Sequence, residues 1–481
     1  MTNKRTKIVC TMGPATESDE VLRGLIEGGM NVARFNFSHG SHDYHRNNIE
    51  RVRRISAELA LPVAIMLDTK GPEVRTGELL NHQKVTLETG AKTVVTTDDG
   101  VAGTAERFSL DYKLLPQEVE KGSILLIDDG LIGLEVDHVE GNDMHCNIIN
   151  GGELGEKKGV NIPNVEISLP SVTEQDKADI MFGCELGIDA IAASFIRNGA
   201  AVDEIRHLCA ESGMRSVYIL PKIESAMGVK NFDEILEHSD GIMVARGDLG
   251  VEIPPAEVPH IQKTIIRKCN INYKPVITAT QMLDSMIRNP RPTRAEVTDV
   301  ATAVYDGTDA VMLSGESANG KYPVEAAQMM ASIVEYTEQF LNYKQFKTRV
   351  LEKSLYESIG NAVCAATVTT AHEIQAKAII VPTLSGATAS MIAKYRPRTS
   401  IVALSPSQQT TRQMMLFWGV SPIWARRADT TDELFDSSLE ELRSRHLVET
   451  GDLCVITAGV LSRLTRRQPV TSTNIMRVIQ A

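Results

Sequence analysis

The sequence predicts an α/β protein built on a (β/α)8 barrel, and three observations carry that reading. Eight short apolar runs recur at 7–13, 32–37, 63–67, 188–195, 217–223, 241–245, 275–279 and 310–313. They are near-continuous in Ile, Val, Ala, Leu and Met, as parallel strands covered on both faces should be. Each is followed by a polar or glycine-rich turn and then an amphipathic stretch, the rhythm of successive βαβ units. Polar residues at the strand ends keep the beat: Asn36 to Asp68 is 32 residues, Ser194 to Glu224 is 30, Glu224 to Asp248 is 24 and Asp248 to Thr280 is 32. In such a barrel the active site lies at the carboxyl ends of the strands.

Taken in order, the first helix is expected over 17–28, after a start rich in Ser, Thr and Asp. A second clear helix, 173–187, opens with Thr-Glu-Gln-Asp, a cap with acids in the first turn. One interval breaks the rhythm. Asp68 to Ser194 is 126 residues, about 95 more than one strand–helix unit needs. The surplus falls near 72–170, where short Val/Leu/Ile runs alternate with Thr-Asp-Asp-Gly, Ile-Asp-Asp-Gly, Val-Glu-Gly-Asn and Asn-Gly-Gly. That texture predicts a small β-barrel domain, inserted after strand three and overhanging the mouth as a lid. After residue 345 the pattern changes again. A helix at 354–370, a strand at 376–382, a Thr-Leu-Ser-Gly-Ala-Thr turn, a helix to 395 and strands at 400–404, 453–457 and 474–479 predict a separate α/β domain. The expected division is therefore 1–71 with 169–345 for the barrel, 72–168 for the lid and 346–481 for the C-terminal domain.

Composition narrows the function classes. Fifty Lys+Arg against 62 Asp+Glu give a net charge of −12, which disfavours nonspecific nucleic-acid binding but allows local basic clusters for small phosphates. No apolar stretch approaches the ~18 residues of a membrane span, and the N-terminal residues lack a signal-peptide core. The seven cysteines are scattered, odd in number and without a Cys-x-x-Cys pair. They predict reduced thiols in a cytoplasmic protein, with neither a disulfide framework nor a zinc site.

Six strand ends supply polar groups that converge in a barrel. Lys222 and Glu224 are two apart on the fifth strand, so both face the mouth. Glu224 and Asp248, on neighbouring strands, suit Mg²⁺, which takes a few carboxylate oxygens and leaves the rest of its shell to water and anionic substrate. A lysine beside such a metal neutralises charge on a transferring phosphoryl group or an enolate. Gly247 would let backbone amides approach a substrate carboxylate closely. An isolated Lys-x-Glu is more often a satisfied ion pair. With Arg34, Asp68 and Thr280 at adjacent strand ends, the functional reading is favoured. Asn36, Ser38, Asp68 and the Thr69 carbonyl form an oxygen-rich, singly charged set that fits a monovalent cation, although turn hydrogen bonding explains it as well. His39 beside a turn is ambiguous. Arg75 and Lys158 join Arg34 as candidate phosphate contacts, against the plain alternative of solvated surface charge.

At these residues the chain resembles the pyruvate kinase family over nearly its whole length. The resemblance rests on Lys7-Ile-Val-Cys-Thr-Met-Gly-Pro14, Asn36-Phe-Ser-His-Gly40, Leu67-Asp-Thr-Lys-Gly-Pro-Glu-Val-Arg-Thr-Gly77, Lys157-Lys-Gly-Val-Asn161 and Pro221-Lys-Ile-Glu224. Met243-Val-Ala-Arg-Gly-Asp-Leu-Gly-Val-Glu252, Ala279-Thr-Gln-Met-Leu283, the stretch from Asn289 to Val300 and that from Asp306 to Glu316 add to it. It implies a bacterial-type enzyme that moves the phosphoryl group of phosphoenolpyruvate to ADP, giving pyruvate and ATP. By motif match, Glu224 and Asp248 hold Mg²⁺ (or Mn²⁺), and Lys222 stabilises the transferring group and the enolate. Arg34 contacts the phosphate, while Gly247, Asp248 and Thr280 line the substrate, with Thr280 near the enolate face that is protonated. Asn36, Ser38, Asp68 and Thr69 match potassium ligands, and Asn36, Ser38, His39, Arg75 and Lys158 match the nucleotide site.

The resemblance also implies a homotetramer and a phosphorylated allosteric effector. Its phosphate is expected on Thr383, Ser385, Gly386 and Thr388, at the start of a helix, with Arg463, Arg466 and Arg467 in a second loop. Glu73 sharpens the potassium expectation. Relatives that work without potassium carry lysine there, so an anionic Glu73 near Asp68 leaves charge for K⁺ to balance, unless it merely pairs with Arg75. Two rivals remain: a metal-dependent barrel lyase acting on 2-oxo acids, and a catalytically silent sugar-phosphate sensor.

Overall fold

The computed structural model describes residues 4–165, 167–344, 346, 358–459 and 473–481. Eight parallel strands close a barrel: β1 (Lys7–Thr11), β2 (Val32–Asn36), β3 (Ala64–Asp68), β4 (Ala190–Ala193), β5 (Tyr218–Ile223), β6 (Ile242–Ala245), β7 (Val276–Ala279) and β8 (Ala310–Leu313). Their order around the barrel is β1-β8-β7-β6-β5-β4-β3-β2. Alternate residues, among them Val9, Val32, Met66, Leu220, Met243 and Ile277, pack in one buried cluster. Their neighbours in sequence, such as Ile8, Cys10, Ile65 and Leu67, pack in another together with residues of the surrounding helices. That double burial is why the runs are apolar without alternation. The run read as 188–195 ends at Ala193, because Phe195 has φ +52° and cannot continue a strand.

The helices begin where their caps predict. Ser18 accepts from the Val21 amide ahead of Asp19–Glu27. Thr173 and Asp176 form a capping box at Glu174–Glu185. Asp176 also accepts from the Gly71 amide at 3.0 Å, which ties that helix to the chain leaving β3. Gly71 itself has φ +72°, a turn geometry that favours glycine.

Between β3 and β4 lies a seven-stranded sheet in the order Val74–Arg75, Gly159–Asn161, Ile124–Ile127, Ile132–Glu140, Asp143–Asn150, Lys92–Thr96, Arg107–Ser109. A two-stranded pair, Val85–Leu87 with Gly152–Leu154, accompanies it. The insert has its own core, around Val95, Phe108, Leu125, Leu134 and Met144. The C-terminal sheet runs Val420–Trp424, Ser400–Ser405, Ala378–Pro382, Leu453–Ala458, Ile475–Gln480, with only the last strand antiparallel. The helix expected at 354–370 is seen as Ile359–Glu373. Residues 354–357 lie outside the described residues.

The C-terminal sheet docks on the amino end of the barrel, opposite the mouth. Lys7 Nζ donates to the Val420 carbonyl at 2.6 Å, Arg396 pairs with Asp309 at 2.8 Å and Arg412 with Asp189 at 2.9 Å. Lys394 is buried at the same junction. Its Nζ donates to Asn361 Oδ1 at 2.8 Å and lies 3.4 Å from the centre of the Tyr273 ring.

Burial lowers the pKa of Lys394 to about 7, with the nearby Cys364 opposing the shift. An unfolded lysine titrates near ~10.4, so between those values the unfolded chain holds the extra proton. Stability contributed by the neutral amine is therefore present above the unfolded value and is lost as pH falls to about 7. We expect Lys394→Met to flatten the rise in unfolding free energy from about pH 7 to pH 10, on the order of a few kcal/mol. Denaturant titrations across that range check it, and equal slopes for the two proteins contradict it.

Candidate active site

The carboxyl ends of β2, β3, β4 and β5 bring together a buried ionic cluster. Lys222, on β5, sits among three oxygens: Asp68 Oδ1 at 3.1 Å, Glu224 Oε1 at 2.8 Å and Ser194 Oγ at 2.9 Å. Asp68 closes β3 and takes a second cation, with Arg34 Nε 2.6 Å from its Oδ2. Arg34 donates in turn to Thr11 Oγ1 at 2.8 Å, recruiting β1. Ser194 spans the gap between strands, donating to the Thr69 carbonyl at 2.5 Å. Asp68 and Glu224 are each 1% exposed, and the Lys222 side chain 12%. These charges are almost entirely shielded from water.

Burial opposes ionisation of Asp68, but the Arg34 and Lys222 cations outweigh it and hold the carboxyl below its ordinary range. Burial likewise opposes the charge on Lys222, and the two carboxylates overcome it, so the ammonium is held more tightly than a free lysine. Glu224 differs. Burial pushes its pKa up to about 7, and Asp248 adds to the shift against the pull of Lys222. Its Oε2 accepts from the Phe195 amide at 2.6 Å, whereas Oε1, although 2.8 Å from Lys222 Nζ, has no aligned hydrogen bond among the described residues.

Asp248 stands in the first turn of the short helix Arg246–Glu252, which follows β6. Burial raises its pKa, and Asp129 of the insert pushes the same way. A buried oxygen without a hydrogen bond, beside a second carboxylate whose neutral form is favoured, is a donor set that fits a divalent cation.

The β7 end is strained. Thr280 and Gln281 have φ +70° and +53°, a cost of about 1–3 kcal/mol each for residues other than glycine. Arg246 clamps the turn, donating to the Thr280 carbonyl at 2.7 Å while paired with Asp299 at 2.7 Å. Thr280 Oγ1 accepts from the Gly247 amide at 2.8 Å. A Cβ on Gly247 would meet nothing closer than 3.6 Å, so protein packing alone does not require glycine there.

The sequence-derived oxygen set is partly engaged. Asn36 Oδ1 accepts from the Ser38 amide at 3.1 Å, and Asp68 and the Thr69 carbonyl have the partners described above. Asp68 Oδ1 meets both Lys222 at 3.1 Å and Ser194 Oγ at 3.4 Å, whereas Asn36 Oδ1 and the Thr69 carbonyl each have a second lone pair beyond the hydrogen bond they accept. The exposed His39 offers its carbonyl to His45 Nε2 at 2.8 Å.

Arg75 and Lys158 are held within the insert instead of joining the cluster. Arg75 Nε lies 2.8 Å from Glu73 Oε2, and Lys158 Nζ lies 2.9 Å from Asp128 Oδ1. The expectation that Glu73 leaves uncompensated charge is thereby corrected: its carboxylate is neutralised by Arg75, with Lys70 4.0 Å away. The insert does reach the mouth elsewhere, where Asn161 Nδ2 donates to Glu252 Oε1 at 3.0 Å.

In the C-terminal domain, Gly386 has φ +82° and its amide donates to Thr383 Oγ1 at 3.0 Å. Thr388 is paired with Thr473 at 2.8 Å, and the Ser385 carbonyl accepts from Tyr218 at 3.3 Å. Arg463, Arg466 and Arg467 lie outside the described residues.

Sequence reasoning did not assign Ser194, Thr11 or Asp129 to the site. Ser194 had a usable signal, as the polar end of strand four in the spacing series. Asp129 sat in an Ile-Asp-Asp-Gly stretch that reads only as a turn.

Comparisons with known proteins agree with this geometry. A family model described as pyruvate kinase, barrel domain, matches residues 3–327, and one described as pyruvate kinase, alpha/beta domain, matches 361–479. The chain is 47% identical to a pyruvate kinase of Clostridium acetobutylicum over 477 residues, 99% of each chain. It is 48% identical to one of Staphylococcus aureus over 481 residues, 99% of this chain and 80% of that protein. A solved pyruvate kinase of Cryptosporidium parvum superposes with a TM-score of 0.93 at 38% identity, covering 99% of this chain and 96% of that one.

Proposed function

The chain belongs to the pyruvate kinase family, and from that premise we propose how its own residues move a phosphoryl group from phosphoenolpyruvate to ADP. The observation that carries the proposal is the Lys222 ammonium fixed between Asp68 and Glu224, with Asp248 at the same opening. Glu224 and Asp248 hold Mg²⁺ (or Mn²⁺), and when bound the ion offsets negative charge on phosphoryl and enolate oxygens. Lys222, already charged and oriented by its three oxygen partners, meets the charge that develops between donor and acceptor oxygens. Arg34, anchored by Asp68 and Thr11, presents its remaining N–H donors to the phosphoryl group. The bond from phosphorus to the enol oxygen breaks as the bond to a β-phosphate oxygen of ADP forms. The enolate left behind takes a proton at its methylene carbon, on the face bordered by Thr280. Gly247 leaves space beside Thr280 for the substrate carboxylate.

Pyruvate release measured with and without ADP separates this reading from its rivals. Turnover is expected only with ADP. Release without ADP would indicate a lyase, and no release at saturating Mg²⁺, K⁺ and ADP a silent sensor.

We further read residues 72–168 as a lid whose closure excludes water. It hinges near Gly71-Pro72 and at 163–170, and the separate core of the insert supports treating it as one unit. For Arg75 and Lys158 to meet nucleotide phosphates, the phosphates must displace Glu73 and Asp128, an exchange of one anion for another. The scattering profile should contract when phosphoenolpyruvate, ADP, Mg²⁺ and K⁺ are added, and identical profiles would contradict closure.

K⁺ on Asn36, Ser38, Asp68 and the Thr69 carbonyl is supported by the second lone pairs of the Asn36 and Thr69 oxygens, not by Glu73. Replacing K⁺ with a bulky quaternary ammonium ion at fixed ionic strength should lower turnover. Undiminished activity would refute the requirement. Glu73→Lys would set a new cation against Arg75, so it is the weaker test.

The loop bearing Thr383, Ser385 and Gly386 is proposed to take the phosphate of an effector. The hydroxyl of Thr388 is committed to Thr473 and stands less ready for that role. A homotetramer is proposed from the family resemblance alone. A cytoplasmic location accords with seven free, buried cysteines.

A further inference from the structure

On the outer face of the inserted sheet, a β-bulge arranges three potential metal ligands. Strands Ile132–Glu140 and Asp143–Asn150 pair antiparallel, with Cys146 opposite Val136 and His145 opposite His138. Asp137 is thus the extra residue. The bulge reverses the in–out alternation after Val136, which is buried, and turns His138 and Glu140 outward. The ligand atoms of His138, Glu140 and His145 all lie within 4.8 Å of one another, with His145 Nε2 3.9 Å from Glu140 Oε2. The two imidazoles are stacked, their centroids 4.3 Å apart. Asp137 Oδ2 lies 3.3 Å from His138 Nδ1. With the proton on Nδ1, that contact would leave Nε2 with its lone pair, the carboxylate support that metal-binding histidines use.

We propose that His138, His145 and Glu140 bind one borderline transition-metal cation, of the Zn²⁺, Ni²⁺ and Cu²⁺ class. Two imidazole nitrogens and one carboxylate oxygen suit that class and suit Mg²⁺ and K⁺ poorly. Ligands about 2.0–2.1 Å from one ion stand roughly 3.4 Å apart. The His145–Glu140 pair is near that spacing, and the two rings, stacked with planes 6° apart, would have to turn about their Cβ–Cγ bonds for both lone pairs to meet one ion. The bound ion would staple the hairpin at Gly141 and Asn142. Two lysines share Asp137 with His138: Lys92 Nζ lies 3.9 Å from the same Oδ2, and Lys121 Nζ donates to Oδ1 at 3.0 Å. Because the imidazoles must be deprotonated to ligate, binding weakens as the solution is acidified. The site is separate from the mouth carboxylates and independent of the catalytic proposal.

Calorimetric titration of Zn²⁺ into the protein in saturating Mg²⁺, added to occupy the carboxylates proposed above as its ligands, tests the site. One Zn²⁺ per chain is expected. The affinity should fall about tenfold or more in the double variant His138→Gln/His145→Gln, with turnover under Mg²⁺ unchanged. Electron paramagnetic resonance of Cu²⁺-loaded protein gives a second readout: coupling to imidazole nitrogen in the native chain and its loss in the variant. Absence of stoichiometric Zn²⁺ binding, equal affinity in the double variant, or a Cu²⁺ spectrum without nitrogen coupling would overturn the proposal.

Discussion

Lys222→Met should cut turnover by a hundredfold or more, about 3 kcal/mol of lost transition-state stabilisation. Among the described residues the ammonium is the one cation in contact with both Asp68 and Glu224, so its loss does two things. It removes the charge that meets the transferring phosphoryl group, and it leaves two buried carboxylates with less compensation. Arg34 still neutralises Asp68 at 2.6 Å, and a divalent ion would hold Glu224, so the fold and metal binding should survive. Steady-state turnover, together with circular dichroism to confirm folding, checks this. Less than a tenfold loss in turnover would remove Lys222 from its assigned role.

Glu224→Gln is expected to act through the metal. Glutamine keeps an acceptor for the Phe195 amide, now served by Oε2 at 2.6 Å, so the local backbone need not move. It cannot supply the anionic Oε1 that has no aligned hydrogen bond. The Mg²⁺ concentration for half-maximal activity should rise about tenfold or more, and turnover should fall on the order of a hundredfold. Titration of free Mn²⁺ by electron paramagnetic resonance separates weaker binding from slower chemistry. An unchanged metal affinity would contradict the assignment of Glu224 as a ligand.

The barrel was legible because a parallel strand buried on both faces must be apolar along its whole length, and all eight runs in 7–313 have that texture. Their ends were less so. Whether Ser194 and Phe195 extend β4 depends on a left-handed φ at Phe195 that no local composition announces. The residues of the candidate cluster were readable because strand-end polar groups repeat at the spacing of one strand–helix unit. Their partners were not. Asp68 is joined to Lys222 across 154 positions of sequence, and that pairing exists only once the barrel closes. Glu73 shows the same limit from the other side. Its neighbours in sequence suggested a free charge, and a rotamer of Arg75, two residues on, cancelled it. Asp129 reaches the site only because the insert folds over the mouth beside Asp248.

The central claim is that this mouth passes a phosphoryl group directly from phosphoenolpyruvate to ADP. Phosphorus-31 NMR of the two substrates with the protein, Mg²⁺ and K⁺ follows that group itself. The account predicts that the phosphoenolpyruvate resonance is replaced by the γ-phosphate resonance of ATP, with little inorganic phosphate. A phosphoenolpyruvate signal that persists, or one that passes into inorganic phosphate while ADP is unchanged, would contradict it.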